Sequence, residues 1–192
     1  MPLITTRANA SATGYGAFLG AAASTAFESI ATATGTGSSG TITFSSIPST
    51  YQHLQLRVCA IADASSLSSF RMEINGVTSS VYSYHQLNGN GTAASATGGA
   101  TQSLMLFSTP FHTSHPTVAI FDFHDYASTT KNKTVRAFYG NNQNVPGTSD
   151  QIIALGSGLY QQTTAISSIK IYHPSQNFTT ASTFALYGIK GA

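Results

Sequence analysis

Charge is what this chain has least of: only 7% of its 192 residues are Asp, Glu, Lys or Arg, against roughly a quarter in ordinary soluble domains. Ser, Thr, Gly, Ala and Asn are plentiful instead, so hydroxyls and amides must keep the surface wet. A hydrophobic share of 41% excludes intrinsic disorder, which needs low hydrophobicity and usually high net charge. The formal net charge of +2 is spread thinly, and the densest basic group, Lys131, Lys133 and Arg136, is too small for a nucleic-acid footprint. No nucleic-acid partner is expected.

Cysteine is nearly missing. The single Cys59 cannot close an internal disulfide, and it sits in an alternating apolar run where a small side chain fills space. No segment approaches the ~18 apolar residues of a membrane-spanning helix. The opening Met1-Pro2-Leu3-Ile4-Thr5-Thr6-Arg7 lacks the basic start and long apolar centre of a signal peptide. Synthesis in a cytosol, without membrane insertion, is the resulting expectation. Sustained 3.6-residue periods with a capping residue are also lacking, which argues against crossover helices and parallel α/β folds.

What the chain does have is alternation with a period of two, as in Thr41-Ile42-Thr43-Phe44, Leu54-Gln55-Leu56-Arg57-Val58 and Phe70-Arg71-Met72-Glu73-Ile74. Such alternation marks strands with one buried face. Further candidates run over 81–87, 103–108, 117–126, 134–139, 152–155, 166–172 and 183–189, about ten short strands in all. The separators carry turn chemistry: Gly35 to Gly40, Asn75-Gly76, Asn88-Gly89-Asn90-Gly91, Gly98-Gly99, Asn141 to Gly147 and Pro174 to Asn177. The expected fold is all-β, an antiparallel two-sheet β-sandwich, jelly-roll-like, over residues 27–192.

Residues 1–26 differ from the rest. They are rich in small residues, with Arg7 near the start and the apolar cluster Tyr15-Gly16-Ala17-Phe18-Leu19-Gly20 in the middle. We read them as an extended N-terminal docking arm whose anchors are Arg7, Tyr15, Phe18 and Leu19. Two later stretches, Val118 to Phe123 and Phe184 to Ile189, are less polar on their outer faces than a solvated sheet requires. Either they are central or another subunit covers them.

Chemistry is poorly represented. Of six acids, only Asp122 and Asp125 are close in sequence, and a spacing of three on a strand sends them to opposite faces. Asp122 and His124 share a face and could take a metal with His112 or His115, but the His spacing matches no familiar zinc motif. No nucleophile elbow or phosphate loop is present: Gly156-Ser157-Gly158 lacks the required context. Neither a catalytic residue nor a cofactor or metal site is assigned, and the chain is not expected to be an enzyme. Tyr82, Tyr84, His85 and Asn88 bring aromatic faces and amides together near a loop, a mix suited to stacking on a sugar. They are the candidate glycan contacts, with a sheet-edge aromatic cluster as the plainer alternative.

Several stretches resemble small virion proteins of tailed bacteriophages, notably those of aquatic bacteria. They are Phe27-Glu28-Ser29-Ile30-Ala31, Phe44 to Leu54 with Pro48-Ser49-Thr50-Tyr51-Gln52-His53 at its heart, Tyr82 to Gly89, Asp125 to Arg136, Gly158-Leu159-Tyr160 and Phe184 to Gly191. The opening Arg7 to Gly16 is also similar, with Thr13 standing where such proteins often carry Arg. The likeness implies a fibre-like, capsid-fibre or decoration protein on the virion surface, made in the host bacterial cytoplasm. Capsid or tail subunits would be its partners, and oligomerisation, as in a trimer, would cover exposed strand faces. Binding of host surface glycans is the alternative role.

Overall fold

The computed structural model describes residues 26–65, 69–142 and 151–191. Among the described residues there are twelve strands and no helix. In chain order the strands are β1 (Phe27–Thr34), β2 (Thr41–Phe44), β3 (His53–Ala60), β4 (Ser69–Ile74), β5 (Tyr82–Gly89), β6 (Ala94–Gln102), β7 (Met105–Ser108), β8 (Thr117–His124), β9 (Lys133–Asn141), β10 (Ile152–Tyr160), β11 (Ile169–Tyr172) and β12 (Thr183–Ile189). They form an eight-stranded sheet, β1-β12-β3-β8-β9-β10-β5-β6, and a four-stranded sheet, β2-β11-β4-β7. Every strand pair is antiparallel. The expected two-sheet β-sandwich is therefore the fold. The docking-arm residues Arg7, Tyr15, Phe18 and Leu19 lie outside the described residues.

Alternation builds the core directly. In β3 the buried side chains Leu54, Leu56 and Val58 take turns with Gln55 and the exposed Arg57. The same in-out rhythm runs through β8 and β9. From the smaller sheet Ile42, Phe44, Phe70, Met72, Ile74, Met105, Phe107, Ile169 and Ile171 are buried against them. The centre is aromatic: Phe107 meets Phe121 edge-on at 5.0 Å, Phe70 meets Phe111 at 4.7 Å, and Tyr82 stacks on Tyr160 at 5.1 Å. Edge-on and offset arrangements suit the ring quadrupoles, and Phe121 ties the two sheets together through Phe107 and, at 5.9 Å, Phe70.

The structure departs from the sequence expectation at four places. β10 does not stop at Leu155 but continues to Tyr160 through Gly156 and Gly158. These glycines face inward, where a Cβ on Gly158 would sit 2.6 Å from the Met105 sulfur and one on Gly156 would sit 3.0 Å from the Phe107 ring. They make room for large side chains of the opposite sheet, and no elbow is built there. β6 was not foreseen because Ala94 to Gln102 has no apolar alternation; it is an exposed edge strand held by pairing with β5. Gly98 and Gly99, expected in a turn, lie within this strand opposite His85 and Tyr84, with Tyr84 packed where side chains would project. β1, the opposite edge, is only half covered and carries a bulge between Ser29 and Ala31, which blurs its period.

Candidate functional site

The feature that stands out is the outward face of the eight-stranded sheet. Strand register sets side chains of neighbouring strands side by side. One row runs Ala96, Leu87, Leu155, Phe138, Ile120 and then Arg57, crossing β6, β5, β10, β9, β8 and β3. The next row runs Ala94, Gly89, Ile153, Gly140, Val118 and Cys59 over the same strands. Leu87, Val118, Ile120, Phe138, Ile153 and Leu155 are 38–59% exposed, and no ionisable side chain interrupts them between β6 and β8. Because Gly89 and Gly140 carry no side chain, the second row dips at those two positions, on either side of Ile153. The result is a ridge of Leu87, Leu155, Phe138 and Ile120 beside an open hollow of about 980 Å³ bordered by Val118, Gly140 and Ile153. Gly140 is fixed here by close backbone approach, since a Cβ would lie 2.4 Å from the Ile152 carbonyl oxygen.

A polar row borders the ridge: Gly98, His85, Ser157, Arg136, Asp122 and Gln55. Asp122 accepts from Gln55 Nε2 at 2.8 Å and from the Arg136 guanidinium at 3.1 Å. Gln55 Oε1 in turn accepts from Arg57 Nε at 2.8 Å. The Arg57 guanidinium lies over the rings of Tyr187 and Phe27, at 5.2 and 5.8 Å. That stacking covers part of the outer face of β12, one of the two apolar stretches noted in the sequence. The other, on β8, stays open through Val118 and Ile120.

The three neighbouring basic residues form no positive patch. Lys133 is buried, and its ammonium donates to the carbonyls of Ser128, Lys131 and Thr163 at 2.6, 2.5 and 3.0 Å. Burial pushes its pKa down. Lys131 pairs with Asp125 at 2.8 Å, which holds that carboxyl below the usual range, and Arg136 pairs with Asp122.

The four candidate glycan contacts do not form one surface. Period two places Tyr82, Tyr84 and Asn88 on one face of β5 and His85 on the other. Tyr82 is buried, so it offers no ring to a ligand. Its hydroxyl accepts from the Ile74 amide at 2.9 Å and donates to the Val77 carbonyl at 2.8 Å, closing the Asn75-Gly76 turn, and burial raises its pKa to about 12. Tyr84 and Asn88 are half-buried, and of the four His85 alone is exposed.

The acid and histidine positions are likewise dispersed into structural roles. Asp122 is satisfied by Gln55 and Arg136. His53 Nδ1 accepts the Asp125 amide at 3.0 Å, and the His53 and His124 rings meet edge-on at 5.2 Å. Among the described residues no group of three His, Cys, Asp or Glu side chains is placed to hold a metal ion.

Sequence reasoning found the open face of β8 but missed Leu87, Phe138, Ile153 and Leu155. A signal was present: Ile152-Ile153-Ala154-Leu155 is apolar at consecutive positions, and Ala137-Phe138-Tyr139 likewise. Such runs load both faces of a strand.

No family model matches this chain, and no curated protein matches it. Among solved structures, a protein of unknown function from Shewanella oneidensis MR-1 is similar at 11% identity, over 86% of this chain and 77% of that one, with a TM-score of 0.23. A similarity this low carries no argument about fold or function.

Proposed function

We propose that the chain is a structural protein of the virion surface of a tailed bacteriophage, a fibre-like or decoration protein docked on capsid or tail. The observation that carries an assembly role is the uncharged apolar face across β8, β9, β10, β5 and β6. Contiguous apolar patches of this kind mark interaction surfaces, and a catalytic site has no comparable support. The sequence resemblance to phage virion proteins supplies the particle. Residues 1–26, with Tyr15, Phe18 and Leu19 as anchors, are the second docking element. The strand order adds support for a jelly-roll core, since β1-β12-β3-β8 faces β2-β11-β4-β7 with the chain passing repeatedly between the sheets. In that reading β5, β6, β9 and β10 are additions that widen one sheet and carry most of the apolar face.

Purified phage particles test this. The chain is expected in them at a fixed copy number, measured by quantitative electrophoresis, and absence from particles would refute the proposal. High copy number with loss of shell stability on deletion identifies a decoration protein; low copy number with loss of host attachment identifies a fibre. Removal of residues 1–26 is expected to abolish incorporation while the sandwich still folds.

A further inference from the structure

We infer that the partner seated on the apolar face is a second copy of this chain, packed face to face about a two-fold axis. The inference deepens the assembly reading and rests on it.

The ridge row and the hollow row lie side by side, one two-residue step apart along the strands, as the pairs Phe138 and Gly140 on β9, Ile120 and Val118 on β8, and Leu155 and Ile153 on β10 show. A two-fold axis lying in the interface, across the strands and between the two rows, exchanges the rows. It lays Phe138 of one chain over Gly140 of the other and Leu87 over Gly89, while Leu155 meets Ile153 and Ile120 meets Val118 side chain to side chain. A two-fold interface must be self-complementary in this sense. Apolar side chains opposite either a glycine or another apolar side chain at all four positions meet that requirement. Sheets packed face to face also sit ~10 Å apart with inner side chains interdigitated.

Size agrees. Six apolar side chains, each about half exposed, offer a patch on the order of 500 Å², within the range of patches that mark interaction sites. A standard interface buries about 800 Å² per partner, about 65% of it apolar in homodimers, which is close to the same area. Electrostatics agree as well. The charges nearest the patch are already partnered: Asp122 with Arg136, and Arg57 with Gln55 and two aromatic rings. They lie at its rim, so association leaves no unpaired ion in the dry centre.

The test is the solution mass of the full-length protein by sedimentation equilibrium or light scattering. The expected result is a species of twice the 20.0 kDa chain mass. Phe138→Asp and Leu155→Asp, at outward positions, are each expected to give monomers with an unchanged circular dichroism spectrum. Thr134→Asp, exposed on the same outer face of β9 but beyond the patch, is expected to remain dimeric. A monomeric or trimeric wild type, or a dimer that survives both patch substitutions, would overturn the inference. Particle incorporation is read separately, so failure of the virion role leaves a different trace from failure of the dimer.

Discussion

His173 offers a quantitative check on the packing at the end of the smaller sheet. Its side chain is buried, with 4% of the residue exposed. Nδ1 accepts the backbone amides of Ser175 and Gln176 at 3.2 and 2.9 Å, so the single ring proton belongs on Nε2, and the ring meets Phe111 edge-on at 4.9 Å. Protonating Nδ1 would break both hydrogen bonds from these amides and place a cation in an apolar pocket near Arg71. Burial is the main cause, and Arg71 the second, of a pKa lowered from 6.5 to about 4, with Asp63 opposing weakly. Because the folded value lies below the unfolded one, the stabilisation is complete above pH 6.5 and is lost as pH falls toward about 4. The difference is worth about 3 kcal/mol, at about 1.4 kcal/mol per pH unit inside that window. Urea unfolding at several pH values between these limits measures the slope. His173→Asn keeps an acceptor for the two amides but cannot titrate, so its stability is expected to be flat over the same range apart from the acids both proteins share. Parallel slopes in the two proteins, or an imidazole titrating near its ordinary value by NMR, would refute the reasoning.

Four further outcomes are expected. Lys133→Met removes a cation held by three carbonyls and is expected to cost ~2–4 kcal/mol in urea unfolding, hydrogen bonds to charged groups being worth more than neutral ones. Tyr82→Phe strips the hydroxyl from the Ile74 and Val77 backbone groups and is expected to cost ~1–3 kcal/mol, read as a lower thermal midpoint. Gly40→Ala would put a Cβ 2.0 Å from the Gln176 carbonyl oxygen, a backbone atom that cannot swing aside; ~1–3 kcal/mol of destabilisation is expected from the forced shift. Arg136→Ala, which breaks an exposed pair with Asp122, is expected to change stability by less than ~1 kcal/mol.

The alternation in β2 and β3 is legible because each of those strands has one buried face, and side-chain period then reports burial directly. That regularity fixes an all-β sandwich without any contact being known. It fails where burial is not one-sided. Gly156 and Gly158 carry no side chain to count, yet they lie inside a strand because Met105 and Phe107 come from the opposite sheet to fill the space above them. Ala94 to Gln102 has no apolar period because it is a largely exposed edge strand, and the ladder with β5 makes it a strand. Tyr82 and His85 look like neighbours along the chain, but the pleat sends one to the core and the other to solvent.

Charge scarcity, the strand alphabet and an apolar excess on β8 are properties of local sequence, and the scarcity of charge already argued for assembly over catalysis. The ridge and hollow are different in kind. Leu87, Ile120, Phe138 and Leu155 are brought into one row by register among the consecutive strands β8, β9 and β10 and the distant β5. That row comes from non-local pairing, a relation that a one-dimensional pattern does not contain. Only the tertiary structure could therefore turn scattered apolar residues into a surface with a shape.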